Sequence, residues 1–273
     1  MPEKTKDYQA LATRIRAQIL RMVHRAKSGH LGSSLSIADI LAVLYGRILN
    51  INPAQPDWPE RDRFILSKGH GASAVYAVLA ECGFFPREWL QNFYQNDSHL
   101  PGHITHSVPG VEASTGALGH GLPIGCGMAL TAKYDGKNYR VYLILSDGDC
   151  DEGSTWEAAL FAHQHKLDNV VAIVDYNKIQ GFGRTTEVLD LEPLADKWRS
   201  FGWSVREIDG HDHNQIEKVL LEAPFELEKP SCIVAHTIKG KGVSFMEDKV
   251  AWHYRSPDDK QLREALDELG VSD

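Results

Sequence analysis

Asp147 and Asn177 stand thirty positions apart, and each follows an apolar run, Val141 to Leu145 for the first and Val170 to Val174 for the second. That spacing is what a strand-helix-strand crossover needs to bring two neighbouring strand ends together. Magnesium is held by near-octahedral oxygen ligands, of which only one or two are carboxylates, with phosphate oxygens, carbonyls and water filling the rest. One Asp, one Asn and one backbone carbonyl match that set, and Gly148 lets the backbone approach a phosphate. The residues therefore have the chemistry of a magnesium diphosphate site. Asp147-Gly148 would equally serve as a βα turn and Asn177 as a cap, and the spacing alone leaves both readings open.

The elements around these residues predict an α/β architecture. Strands at 140–146, 169–175, 203–208 and 231–236 alternate with helices at 152–167, 190–200, 213–222 and 258–269. Their nearly all-apolar strands mark a doubly wound, mainly parallel sheet with helices on both faces. In such sheets ligands collect beyond the carboxyl ends of the strands, which gathers Asp147, Asn177, His70 and the loop after His236 in one crevice. Upstream, Leu11, Ile15, Ile19, Met22 and Val23 have helical spacing, ended at Ser28-Gly29, where a left-handed residue can stop the helix. Ser36-x-x-Asp39 reads as the capping box of a second helix that runs through Ile40, Leu44 and Ile48 to Asn50. Arg63 to Leu66 forms a short strand that feeds Ser67-Lys68-Gly69-His70-Gly71 and then a helix up to Cys82, a pattern that presents backbone N–H groups to an anion. Between 114 and 132 lie Gly116, Gly119, Gly121, Gly125 and Gly127. Each glycine within a helix costs about 1 kcal/mol relative to alanine, so close packing or a ligand must compensate.

Composition bounds the functional classes. With 273 residues, 42% of them hydrophobic, the chain is expected to form a single domain over 1–273 with a large core. A net charge of −8 makes nucleic acid and anionic membrane surfaces poor partners, and an anionic ligand would need a cation beside it. Cys82, Cys126, Cys150 and Cys232 are scattered with no C-x-x-C pair, and no charged-then-apolar leader opens the chain. A reducing, cytoplasmic setting is expected. No apolar run approaches the roughly 20 residues of a membrane span.

The blocks surrounding the Asp147-Gly148 and Asn177 signature extend over nearly the whole chain. They are Lys27-Ser28-Gly29-His30, Asp62 to Gly71, Pro101-Gly102-His103, Gly110 to Gly119, Asp209-Gly210-His211-Asp212 and Thr237-Ile238-Lys239-Gly240. In this order they resemble the transketolase family, and the signature itself resembles the thiamine diphosphate motif of that family. The resemblance covers only the diphosphate-binding part. The pyrimidine-binding and C-terminal domains would come from a separate C-terminal transketolase subunit, so the chain is expected to be the N-terminal subunit of a split transketolase, in an α2β2 assembly.

Residue by residue, the resemblance implies that Asp147, the Asn177 side chain and the Ile179 carbonyl hold Mg2+ or another divalent cation such as Ca2+ or Mn2+, with Gly148 at the diphosphate. Gly116, Ala117 and Leu118 would lie along thiamine diphosphate, and His70 would touch it. His30, His103 and His253 would reach substrate hydroxyls or transfer protons, with His253 also beside the cofactor; histidine suits both because its pKa of about 6.5 allows donation and acceptance near neutral pH. The implied activity moves a two-carbon ketol unit from a ketose phosphate to an aldose phosphate. The activating glutamate of the family belongs to the missing part, so no acid of this chain takes that role.

Several residues depart from the family pattern or carry simpler readings. Ser146 replaces the first glycine of the motif, Tyr176 replaces the first residue of a frequent Asn-Asn pair, and His120 stands where glutamine is common. His211 and His213 are read as turn or cap residues, and His24, His163 and His165 as helix surface or packing groups. Lys68, Lys239 and Lys241 add positive charge around the diphosphate site, although loop lysines are solvated in most proteins and any one of them then contributes little. The rival readings are the α subunit of a 2-oxoacid dehydrogenase, a non-catalytic cofactor-binding subunit, and a nucleotide-binding oxidoreductase, for which Gly116-x-x-Gly119-x-Gly121 has the wrong spacing.

Overall fold

The computed structural model describes residues 7–271. The reading of the first residues as lacking a leader, and the outer ends of the 1–273 domain, lie outside the described residues. Asp7 caps α1 (Tyr8–Ala26) by accepting from the Ala10 N–H at 3.0 Å. The helix stops at Lys27, whose φ is +49°, two residues before the expected glycine. His30 is also left-handed, with φ +67°.

After α2 (Leu31–Leu35) comes α3 (Ala38–Val43), and the expected capping box does not form. Ser36 Oγ donates instead to Asp175 Oδ2 at 2.8 Å, and Asp39 receives the Arg16 guanidinium. Both side chains are buried and engaged with partners distant in sequence, so neither is available to the local helix end. The helical path continues only through a π-helical turn at Leu44–Ile48. Residues 31–48 are together apolar enough to match a membrane span in length and composition, yet 89% of the stretch is buried, which makes it core.

The chain then forms β1 (Arg63–Leu66), α4 (Ala72–Glu81), α5 (Gly121–Tyr134), β2 (Val141–Ser146), α6 (Gly153–Gln164) and β3 (Val170–Tyr176). The glycine-rich segment divides, with 114–120 a loop and only the remainder helical. Close packing supplies the expected compensation: a Cβ at Gly125 would stand 2.7 Å from the Leu143 side chain. After β3 follow α7 (Thr185–Val188), α8 (Leu194–Ser200), β4 (Ser204–Asp209), α9 (His213–Glu222), β5 (Ser231–His236) and α10 (Asp259–Glu268). The helix expected from 190 begins only after Pro193, which holds its own backbone extended at the helix entry.

Among the described residues all five strands are parallel, in the order β1-β2-β3-β5-β4. Every residue of β2 and β3 is buried, and alternate side chains enter opposite cores. Tyr142, Ile144, Val171 and Ile173 pack with α1, α3, α4 and α9, whereas Leu143, Leu145, Ala172 and Val174 pack with α5, α6 and α8. The doubly wound architecture read from the alternation is therefore the observed one. Pairing of Ser146 with Asp175 and of Tyr176 with His236 aligns the strand ends, so the residues that follow β1, β2, β3 and β5 share one edge.

Candidate active site

A cavity of about 270 Å³ opens at that edge. His30, His70, His103, Gly116, Leu118, Asp147, Gly148, Asn177, Ile179 and His253 all line it. Ala117 does not; it is exposed on the same loop.

Asp147 follows β2 and is 3% exposed. Its Oδ1 accepts from the Gly148 N–H at 2.9 Å, whereas its buried Oδ2 has no hydrogen-bond partner among the described residues. Burial and the nearby Asp175 charge push its pKa up to about 6, against the pull of Lys239. Buried polar atoms are rarely left unpaired because each costs about 1–3 kcal/mol, and an unpaired carboxylate oxygen in a cavity wall is a donor suited to a cation. The Asn177 side chain accepts from Ile179 N–H at 3.1 Å through Oδ1 and donates to Asp175 Oδ2 at 3.0 Å through Nδ2, which fixes its amide orientation. The Ile179 carbonyl accepts from Lys239 Nζ at 2.7 Å. Carboxylate, amide and carbonyl oxygens are hard donors of the kind magnesium takes. At Gly148 a Cβ would come 3.1 Å from Leu118 Cδ1, filling the gap between the turn and that side chain. The donors present fit a divalent cation with a diphosphate.

Behind this wall lies a charge network that the sequence reading did not anticipate. Asp175, 0% exposed, accepts from Lys68 Nζ at 2.6 Å, Ser36 Oγ at 2.8 Å, Asn177 Nδ2 and Thr237 Oγ1. Burial opposes its ionisation, but Lys68 and the hydroxyl donors outweigh it and hold the carboxylate below the usual range. Lys68 and Lys239 are thus not solvated loop lysines, being 0% and 1% exposed. Desolvation lowers the Lys239 pKa to about 8, which leaves it charged at neutral pH.

Three histidines converge on His30, whose ring centroid lies 5.0 Å from His70, 5.2 Å from His253 and 5.8 Å from His103. Burial and neighbouring positive groups lower the pKa of His30 to about 4 and of His253 to about 3, and hold His70 well below its ordinary value. All three rings are neutral at pH 7. Lys239 Nζ donates to His253 Nδ1 at 2.9 Å, so the remaining nitrogen, Nε2, carries the proton and His253 offers a hydrogen-bond donor.

These depressed values set an acid limit on stability. Between pH 6.5 and about 4 the unfolded chain binds protons at His30 and His253 that the folded chain refuses, so folding stability falls as pH drops through that window. Replacing both with asparagine is expected to flatten the loss, by about 1 kcal/mol per residue at pH 5 after allowance for solvent screening. Urea denaturation at pH 7 and pH 5 checks this, and identical pH slopes for variant and wild type would refute it.

Residues 7–273 match the family model described as transketolase, thiamine diphosphate binding domain. The chain belongs to the transketolase family. It is 44% identical over 270 residues to the 6-deoxy-6-sulfo-D-fructose transketolase subunit of Clostridium sp. (strain MSTE9), covering 98% of each chain. It is 46% identical over 242 residues to an apulose-4-phosphate transketolase subunit of Actinobacillus succinogenes, covering 88% of this chain and 87% of that one. Aligned with these subunits along most of their length, it is a transketolase subunit of the split type and so a transferase component. The crystal structure of Campylobacter jejuni transketolase superposes with a TM-score of 0.93 at 34% identity, covering 97% of this chain but 43% of that one. The chain thus spans about two fifths of the single-chain transketolase.

Two further carboxylates brace this transketolase site. Asp149, fully buried, accepts from Ser67 Oγ at 2.6 Å, Gly119 N–H at 2.8 Å, and the Ser146 N–H and Oγ at 2.7 and 2.9 Å. It ties the end of β1 and the glycine loop to the motif, and Ser146 suits the first motif position because it bonds to this carboxylate. Asp39 holds Arg16, His211 Nδ1 at 2.8 Å and His213 Nε2 at 2.9 Å. His211 Nε2 in turn accepts from the Ile238 N–H at 2.8 Å, next to Lys239. His211 and His213 are therefore not caps; Asp212 caps α9. His120 turns its Nδ1 to the Leu118 carbonyl and stays exposed, while His24 meets Asp259 at the surface. The signal that could have exposed the network is an aspartate closing an otherwise apolar parallel strand. Buried on both faces, Asp175 requires a counter-charge.

Proposed function

We infer that this chain is the diphosphate-binding subunit of a two-chain transketolase that moves a two-carbon ketol unit from a ketose phosphate to an aldose phosphate, working in the cytoplasm within an α2β2 assembly with a pyrimidine-binding C-terminal subunit. The observation that carries the reading is the juxtaposition of the unpaired Asp147 carboxylate oxygen with four histidines in one cavity. Thiamine diphosphate, when bound, supplies a nucleophilic carbon and an electron sink. Asp147, Asn177 and the Ile179 carbonyl would hold the divalent cation, and Gly148 with Gly116 and Leu118 would cradle the cofactor. His253, held as the Nε2–H tautomer by Lys239, would donate to an oxygen that gains negative charge, the role electrostatic stabilisation assigns to a fixed donor. Neutral His30 would accept a hydrogen bond from a substrate hydroxyl, and His103, whose ring centroid lies 5.8 Å from that of His30, would reach the same substrate.

The test is ketol transfer by this chain alone and after coexpression with a C-terminal transketolase subunit, in magnesium and thiamine diphosphate. The donors would be xylulose 5-phosphate and the sugars for which the two subunit relatives are named. Transfer only in the two-chain complex is expected, and His103→Ala should slow it about 100-fold, the size of a general acid–base contribution, with cofactor affinity retained. A cofactor-loaded complex that transfers from none of these donors would overturn the reading in favour of a non-catalytic subunit.

A further inference from the structure

Tyr254 lines the cavity beside His253 and is 60% exposed, which leaves its phenol open to a ligand. Its position is fixed from both ends. The preceding turn, Val250–His253, is anchored by buried Trp252, whose Nε1 donates to the Phe245 carbonyl at 3.1 Å. The His30 N–H donates to the His253 carbonyl at 2.6 Å, and the Tyr254 backbone lies so near Gly29 that a Cβ there would stand 3.2 Å from Tyr254 Cα. At the other end the phenol reaches the Ile179–Arg184 hairpin, where a Cβ at Gly181 would be 2.6 Å from the Tyr254 hydroxyl. The ring therefore bridges from the His30 loop to the hairpin at one side of the cavity mouth. Its centroid is 4.6 Å from His253 and 6.4 Å from His30, and its hydroxyl bonds to no other described residue.

The geometry points to Tyr254 as a specificity-determining residue, whose hydroxyl hydrogen-bonds a hydroxyl group of the sugar substrate and so favours polyhydroxylated aldehydes over their deoxy analogues. The inference rests on the ketol-transfer reading, since it needs a sugar beside His30 and His253. With its backbone packed against Gly29 and its hydroxyl against Gly181, Tyr254 loses little further freedom on binding, and one net hydrogen bond of about 0.5–1.5 kcal/mol corresponds to a roughly 3- to 10-fold change in affinity.

The test uses the two-chain holoenzyme with ribose 5-phosphate, 2-deoxyribose 5-phosphate, glyceraldehyde and propionaldehyde as acceptors. Tyr254→Phe is expected to raise KM for the hydroxylated acceptors about 3- to 10-fold, with kcat and thiamine diphosphate affinity within 2-fold of wild type, and to narrow the preference over the deoxy analogues. Gly181→Ala, which displaces the hydroxyl without removing it, is expected to reproduce that KM change, and to add little in the Tyr254→Phe background. Unchanged KM values in both single variants would overturn the assignment, as would a fall in cofactor affinity, which would place Tyr254 at the cofactor. A wild-type complex that transfers to none of the four acceptors would fail the ketol-transfer reading itself and this assignment with it, and is distinguished from the other outcomes by the wild-type control.

Discussion

Asp147→Ala is expected to lower magnesium-dependent affinity for thiamine diphosphate by at least about 100-fold while leaving the unliganded chain as stable as wild type, or more so. Loss of an outer-shell partner alone typically costs 10–100-fold in metal affinity, and Asp147 offers the one carboxylate among the expected ligands. Stability should not suffer, because its Oδ2 is buried without a partner and Asp175 stands close by. Removing the carboxylate relieves desolvation and like-charge repulsion, which offsets the loss of the Gly148 N–H bond and of the attraction to Lys239. Two measurements separate these effects. Titration calorimetry with cofactor and magnesium reads the affinity, and thermal unfolding without ligand reads the stability. An unchanged cofactor affinity would remove the basis of the metal assignment, and a large stability loss would make Asp147 a structural residue.

The reverse pattern is expected at Asp175. Asp175→Ala strands the Lys68 ammonium, 0% exposed, with the Ser33 carbonyl at 2.6 Å as its one remaining partner among the described residues. Removing one partner of a buried ion pair costs about 3–5 kcal/mol because the other charge stays buried and unpaired. It also frees the Asn177 amide, so cofactor affinity should fall together with stability. Lys68→Met combined with Asp175→Leu is expected to recover much of the stability but none of the affinity. Replacing the whole pair with apolar side chains removes the stranded charge, whereas the anchor for Asn177 stays lost. Urea midpoints of the two single variants and the double variant yield the coupling. Single-variant losses below about 1 kcal/mol would show that water reaches Lys68 and that the network is not the closed one described.

These two aspartates show what could be read from the chain and what could not. The Asp147-Gly148 turn and Asn177 were legible because each lies within three residues of a run of five apolar residues, and parallel pairing in register carries such strand ends to a common edge. The strands themselves were legible because burial on both faces leaves little but apolar residues between their ends. The histidines of the cavity, from loops as far apart as His30 and His253, came from the family resemblance of their blocks rather than from any local period.

The tertiary structure decided the polar interior. Ser36 and Asp39 have the spacing of a helix cap, yet each is engaged by a partner far along the chain. His211 has the neighbours of a turn residue and becomes a bridge between Asp39 and the Lys239 loop. Lys68 and Lys239 have the neighbours of solvated loop residues and are buried against carboxylate and carbonyl oxygens. Apolar periodicity fixes which face of an element is covered, since that depends on the residue types along one segment. The partner of a buried charge depends on which segments meet over the sheet, and long side chains such as lysine can point either to water or inward at the same local sequence. Element order and the site's edge therefore follow from the sequence by itself, while the protonation states and charge pairing of the site follow only from the packed fold, where desolvation is set.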